Sequence, residues 1–390
     1  MDTTPPIHPA PIHPPAPPAA PPGCGRVALL LQGGGALGAY QAGVFQALSE
    51  GGMQPNWVIG VSIGAINAAI IAGNRPEDRL PRLREFWRRV TDRGLPLPAT
   101  PDGDDFRKLR NLGAALATIG LGQPGFFRPN PVNPWLAPRG AAAATAFYDT
   151  APLRETLEAL VDWRIVNGNG VRLAVGAVNV ETGNFQYFDS GLERLGPEHV
   201  MASGALPPGL PMVRIGGDWF WDGGLVSNTP LQYLLEDETD CRDSLVFQVD
   251  LFPAQGPLPR DMEEVLGREK DIRYSSRTRM NTDAWARLRR WQLRLKRALA
   301  KLPEEALDEE ERALRARLAA LPRFSILHLI YRQKAYEGQA KDYAFNAEIM
   351  EEHWRSGLDD ARRTLDRRDW MALPDEAAGI VTRDVHRERG

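Results

Sequence analysis

The stretch Asn56-Trp57-Val58-Ile59-Gly60-Val61-Ser62-Ile63-Gly64-Ala65-Ile66-Asn67-Ala68-Ala69-Ile70-Ile71-Ala72 decides the fold. Residues 56–59 read as a short apolar strand, and Ala65 to Ala72 reads as a helix rich in Ala and Ile. Between them, Gly60-Val61-Ser62-Ile63-Gly64 places a serine at the apex of a strand–turn–helix, the arrangement of a nucleophile elbow. A serine forced into so sharp a turn needs neighbours without Cβ atoms, or strand and helix cannot close around it. The helix start directs backbone N–H groups and a positive dipole end toward Ser62, which favours alkoxide character. A small-residue turn in any α/β protein would share the five-residue pattern, so the surrounding chain has to decide.

Outward from this stretch, strand and helix patterns alternate. Val27 to Leu31 reads as a buried strand, followed by Gly33-Gly34-Gly35 and a helix from about Ala36 to Ser49. Arg79 to Val90 and Pro152 to Trp163 look helical. Val171 to Val180 and Asn184 to Asp189 look like paired strands, Ser227 to Glu236 like a helix, and Leu245 to Leu251 like another buried strand. This order fits a mostly parallel, three-layer α/β/α sheet. Residues 100–145, rich in Gly, Ala, Pro and Phe, show only weak periodicity and read as irregular chain. The apolar 110–147 part is a candidate lid or acyl-chain wall.

Beyond residue 260 the character changes. Met280, Ala284, Leu288, Trp291, Leu295, Ala298 and Leu302 recur at helical spacing. From Arg277 to Lys301 there are nine basic residues and one acidic, whereas Glu304 to Glu311 carries six acidic residues. Phe324 to Tyr331 resembles a further strand and Asp342 to Asp369 a long amphipathic helix. The expected organisation is a Pro-rich tail over residues 1–25, a catalytic domain over 26–260 and a mainly helical extension over 261–390.

Composition narrows the functional classes. The 390 residues are 43% hydrophobic and 25% charged, enough for one large α/β domain and an appendage. A net charge of −3 argues against nucleic acid as partner. Only Cys24 and Cys241 occur, in no metal-like spacing, which points to a reducing, cytoplasmic setting without a disulfide framework. The first 22 residues hold ten prolines and no apolar core of a signal peptide. No run approaches the roughly 20 apolar residues needed to span a bilayer, so any membrane contact would be peripheral.

Three pieces carry chemistry together. Glycines after a strand, opening a helix, present N–H groups to an anion, here the oxygen of a tetrahedral intermediate. Gly33, Gly34 and Gly35 form this candidate oxyanion loop, with Gly34 and Gly35 the best donors. Ser62 is the candidate nucleophile, with Gly60 and Gly64 shaping its elbow. Asp222 follows Trp219-Phe220-Trp221 and precedes two glycines, so it can approach another backbone closely. Burial among apolar groups would raise its pKa and make it a better base. His199 is the only histidine between residues 26 and 260, at an expected helix start, so a Ser62/Asp222 dyad is preferred to a triad.

Gly33-Gly34-Gly35-Ala36-Leu37-Gly38, Gly60-Val61-Ser62-Ile63-Gly64, Ala202-Ser203-Gly204-Ala205-Leu206-Pro207, Asp222-Gly223-Gly224 and Asn228-Thr229-Pro230 follow the order and spacing of the patatin-like phospholipases. The resemblance spans residues 26 to 252, and the region after 260 resembles the helical extension of a bacterial subgroup. It implies a serine acyl hydrolase with a Ser-Asp dyad, a glycine oxyanion hole and a three-layer α/β/α fold. The expected substrate is a lipid carboxylic ester, and neither the mechanism nor any His, Cys or Asp spacing calls for a metal or cofactor. Leu37 stands where plant members usually carry Arg, which leaves the backbone donors intact but removes a positive charge.

Two rival readings remain. Gly33, Gly35 and Gly38 satisfy a dinucleotide-binding G-x-G-x-x-G pattern, but the next strand ends in Ile59-Gly60-Val61-Ser62 without the carboxylate that holds a ribose. Alternatively, the chain is a membrane- or partner-docking protein with an inactive site. The basic stripe with Trp285 and Trp291 fits adsorption to anionic lipid. The Pro303 break and the charge reversal favour instead a helical hairpin whose acidic arm neutralises the basic one.

Overall fold

The apolar run at Arg26–Leu31 forms β1 and is buried along its whole length. A strand this apolar on both faces needs cover on both sides. In the structure, a computed structural model, residues 20–92, 104–168, 170–237, 240–275, 278–334, 337–338 and 340–384 are described. Most of the Pro-rich tail lies outside these residues.

After β1 come α1 (Ala39–Glu50), β2 (Trp57–Val61), α2 (Ile63–Ala72), α3 (Pro76–Thr91), α4 (Asp104–Leu121), β3 (Arg128–Pro129) and β4 (Tyr148–Asp149). Next are α5 (Ala151–Leu160), α6 (Trp163–Val166), β5 (Arg172–Asn179), β6 (Phe185–Asp189), α7 (Pro197–Ser203), β7 (Val213–Ile215) and β8 (Asp218–Asp222). Then follow α8 (Leu231–Glu236), β9 (Ser244–Asp250), α9 (Met262–Tyr274), α10 (Thr278–Leu299) and α11 (Glu309–Ala319). The chain closes with β10 (Phe324–Ile330), α12 (Ala347–Asp366), α13 (Arg368–Met371) and β11 (Ile380–Asp384).

The main sheet has the order β11-β10-β9-β1-β2-β5-β8-β7, with β6 on β5. From β11 to β5 all neighbours are parallel, and β6, β8 and β7 add antiparallel pairs at one side. One large core joins this sheet to α1, α2, α3 and α12. A smaller core on the other face gathers Ala28, Leu30, Trp57 and Ile59 with Leu231 and Leu234 of α8, and Trp285 of α10 packs against it. The chain thus builds the three expected layers.

Three differences from the sequence reading stand out. The 100–145 region, read as irregular, contains the 18-residue helix α4, whose glycines and alanines hide its periodicity. The expected helix at 36–49 starts with a tight 3₁₀ turn at Gly35–Gly38 before α1. The segment after residue 260 is not a separate appendage. It adds β10 and β11 to the same sheet, and Leu327, Leu329, Tyr331, Phe345 and Trp354 join the large core.

The α10/α11 pair forms the expected hairpin, joined through Leu299, Leu307 and Leu318. The expected stripe on α10 faces outward: Leu288, Trp291, Leu295 and Leu302 are exposed, while Arg289, Leu293 and Leu299 are buried. No helix among the described residues is long and apolar enough to cross a membrane.

Candidate active site

The register of β5 brings the two key side chains together. β2 runs parallel to β5 and its last residue, Val61, lies opposite Gly176. β8 runs antiparallel to β5 and its last residue, Asp222, lies opposite Ala177. β6 occupies the other edge of β5 across Ala174–Val178. β2 and β8 therefore share one edge and meet end to end, and Ser62, one residue past β2, faces the end of β8.

Ser62 Oγ donates a 2.7 Å hydrogen bond to Asp222 Oδ2 across 160 positions of chain. Ser62 is partly exposed and Asp222 is buried. Asp222 Oδ1 accepts from Gly224 N–H at 2.7 Å, and its backbone N–H donates to Ala205 O at 3.0 Å. Burial raises the Asp222 carboxyl from its ordinary range to about 6, against the opposing hydrogen bonds from Ser62 and Gly224. Burial also raises the nearby Tyr274 phenol, and the charge of Asp222 adds to that shift.

Ser62 has φ 56° and ψ −125°, the one positive φ at a non-glycine residue among the described residues. Such a conformation costs about 1–3 kcal/mol and persists only where the surroundings enforce it. Here α2 enforces it, since every residue from Ile63 to Ala72 is buried. A Cβ on Gly60 would overlap the Gly64 backbone, and one on Gly64 would overlap the Leu31 carbonyl. Ser62 N–H donates to Ser203 Oγ at 3.0 Å, and Ser203 Oγ–H donates in turn to Gly176 O at 2.6 Å. Ser203 thereby ties the turn to the strand on which Asp222 is registered.

The glycine loop lies beside this pair. Gly33 N–H donates to Asn228 Oδ1 and Asn228 Nδ2 donates to Gly33 O, both at 3.1 Å. Gly33 N–H is thus already engaged, while neither Gly34 nor Gly35 N–H has an acceptor among the described residues. Gly35 has φ 54°, and a Cβ there would overlap the Asp342 carbonyl. Gln32 Nε2 donates to Thr229 Oγ1 and Tyr274 O, and its Oε1 accepts from Leu251 and Phe252 N–H. Asn228 Nδ2 also donates to Tyr274 O. Segments far apart in the chain therefore brace one loop, with no charged group in the brace.

The described histidines are engaged elsewhere. His199 Nδ1 accepts from Gly196 N–H at the start of α7, and burial lowers its pKa. His328 pairs with Asp250, and His353 with Glu337. Among the described residues, neither Ser62 nor Asp222 has a histidine partner.

A family model described as patatin-like phospholipase matches residues 29–235, just over half of the chain. The chain belongs to the patatin-like phospholipase family. A second model, described as patatin phospholipase, matches residues 272–377 and so covers the segment carrying β10 and α12.

The lysophospholipase nte1 of Aspergillus terreus (strain NIH 2624 / FGSC A1156) is 38% identical over 96 residues, 22% of this chain and 6% of that protein. The triacylglycerol lipase ptl3 of Schizosaccharomyces pombe (strain 972 / ATCC 24843) is 42% identical over 62 residues, 16% of this chain and 13% of that protein. The matches thus span a small fraction of these relatives' lengths. The crystal structure of VipD from Legionella pneumophila gives a TM-score of 0.39 at 16% identity, covering 89% of this chain and 67% of that one.

This patatin-like site also contains residues whose roles the sequence did not assign. Ser203 and Asn228 stood in motifs without a stated task. Gln32 opens the glycine run but its role was not readable, and Tyr274 carried no signal, since both act on the site through polar atoms whose partners lie far away in sequence.

Proposed function

We propose that the protein hydrolyses carboxylic esters of lipids through an acyl-enzyme on Ser62. The observation that carries this reading is the Ser62–Asp222 hydrogen bond, with the carboxyl raised to about 6 by burial. Asp222 takes the Ser62 proton as Oγ attacks the acyl carbonyl. The carbonyl π electrons move onto oxygen, and the Gly34 and Gly35 amides hold the resulting oxyanion. Collapse of this intermediate expels the alkoxide, which takes the proton from Asp222. Water then attacks the acyl-Ser62 ester, Asp222 again accepts the proton, and the acid leaves as the proton returns to Ser62. A base must be ionised to act, and a carboxylate near 6 is a far better base than one near its ordinary ~3.9.

The lipid nature of the ester rests on family membership and on the apolar 110–147 segment. Leu116, Ile119 and Leu121 on α4 are exposed, as are Trp135 and Leu136 further on. This segment is the proposed acyl-chain wall, and shortening it should alter chain-length preference.

Labelling with a fluorophosphonate followed by peptide mapping tests the reading. Wild type should be labelled at Ser62, and Ser62→Ala should not be labelled. With a soluble ester, kcat/KM should rise with pH through a midpoint near 6 as Asp222 ionises. Labelling elsewhere, or a rate independent of pH between 5 and 7, would end the proposal.

A further inference from the structure

Among the described residues the outer half of α10 has no partner, and its composition specifies one. Trp285 packs against the smaller core, the Arg289 guanidinium lies 5.6 Å from the Phe324 ring centre, and Leu293 and Leu299 are buried. That face holds the helix on the molecule. Flanking that face, Leu288 is 43% exposed, Trp291 66%, Leu295 42% and Leu302 43%. Leu288, Trp291 and Leu295 make a line roughly 10 Å long at helical rise, and Leu302 follows just past the end of the helix. Beside it run Arg287, Arg290, Arg294, Arg297 and Lys301, all exposed. Arg294 lies over the Trp291 ring at 5.2 Å from its centroid.

The acidic arm of the hairpin does not neutralise these cations. Glu304 pairs with Arg315, and Glu311 accepts from Asp308 N–H at the start of α11. Lys296 donates to the Ala319 carbonyl. Among the described residues, Arg287, Arg290, Arg294, Arg297 and Lys301 have no carboxylate partner. The apolar line and the cationic line are therefore both unsatisfied and lie side by side.

We propose that this face of α10 docks the protein on an anionic lipid surface. Trp291 and the leucines would enter the boundary between headgroups and acyl chains, and the arginines would lie over anionic headgroups. A second copy of this chain is a poorer occupant, because a twofold interface would set the five cations against their own copies. The whole chain carries a net charge of −3, so the cationic line is a local feature of this surface. Docking goes beyond the hydrolase reading and does not depend on it.

The test uses the full chain with Ser62→Ala, so that vesicle lipid is not consumed. Co-sedimentation is measured with phosphatidylglycerol/phosphatidylcholine vesicles and with phosphatidylcholine alone. Binding to the anionic vesicles should fall steeply as salt is raised. The triple variant Arg290→Gln, Arg294→Gln, Arg297→Gln should bind them on the order of a hundredfold more weakly. Trp291→Ala should lose about tenfold. The same surface substitutions in the Ser62 background should leave turnover of a soluble short-chain ester unchanged, which shows that they fold. Equal binding by the triple variant, or equal binding to phosphatidylcholine alone, would overturn the proposal. Trp291-dependent self-association without lipid, seen by light scattering, would do the same. Absence of soluble-ester turnover in wild type would refute the hydrolase reading and leave the vesicle result to decide docking.

Discussion

α2 and α10 are both helices beside a parallel sheet, and they are held in opposite ways. α2 is buried on every side, and its first turn holds Ser62 in a backbone conformation that serine does not choose. Among the described residues α10 is gripped along one face only, and its outer half presents apolar and cationic groups to solvent. Close packing around α2 defines one geometry at the expense of strain. One-sided packing of α10 leaves apolar and cationic residues open to solvent. The proposed chemistry and the proposed docking would thus impose different packing rules on the same kind of element.

Substitutions at the α2 end should have the largest effects. Asp222→Asn should lower kcat at least about a thousandfold, read with a soluble ester. It should also stabilise the protein. The folded carboxyl holds its proton to about 6, whereas the unfolded one releases it near ~3.9. The native state binds more protons in that window, so wild-type stability falls as pH rises through it. Urea unfolding should show the variant ahead by up to about 3 kcal/mol at pH 8, with the gap closing below about pH 4.

Gly64→Ala forces a methyl group onto the Leu31 carbonyl and should cost about 2–3 kcal/mol, seen as a lower urea midpoint. Asn228→Ala removes both bonds to Gly33 and should lower kcat about ten- to a hundredfold with KM nearly unchanged. At the other end of the scale, Leu295→Gln on α10 should move stability by less than about 0.5 kcal/mol. A large loss there would mean that α10 is packed on both sides, and the contrast would disappear.

What was legible in the chain follows the same division. The alternation of apolar strands and Ala-rich helices around Gly60–Gly64 made the layers readable, because each element's neighbours are encoded in its own period. Gly33–Gly35, Ser62 and Asp222 were readable as motifs, and the structure places the last two within hydrogen-bond reach. Tyr274 and Gln32 were not readable, because a backbone carbonyl and an amide carry no periodic mark of a distant partner. α4 was missed because its glycines and alanines dilute the pattern. The α10 stripe was found but its orientation was not, since two faces of that helix carry apolar residues and only tertiary contact selects the inner one.

The shared edge of β5 has a consequence for how activity appears in time. The hydroxyl and the carboxylate arrive on separate strands, and only one register of β8 on β5 turns Asp222 toward Ser62. A shift of one residue would send the carboxylate to the opposite side of the sheet. Pairing across so long a separation is slow compared with helix formation. A refolding chain should therefore regain its helical signal before its first turnover, and a lag between the two would time the closure of that last ladder.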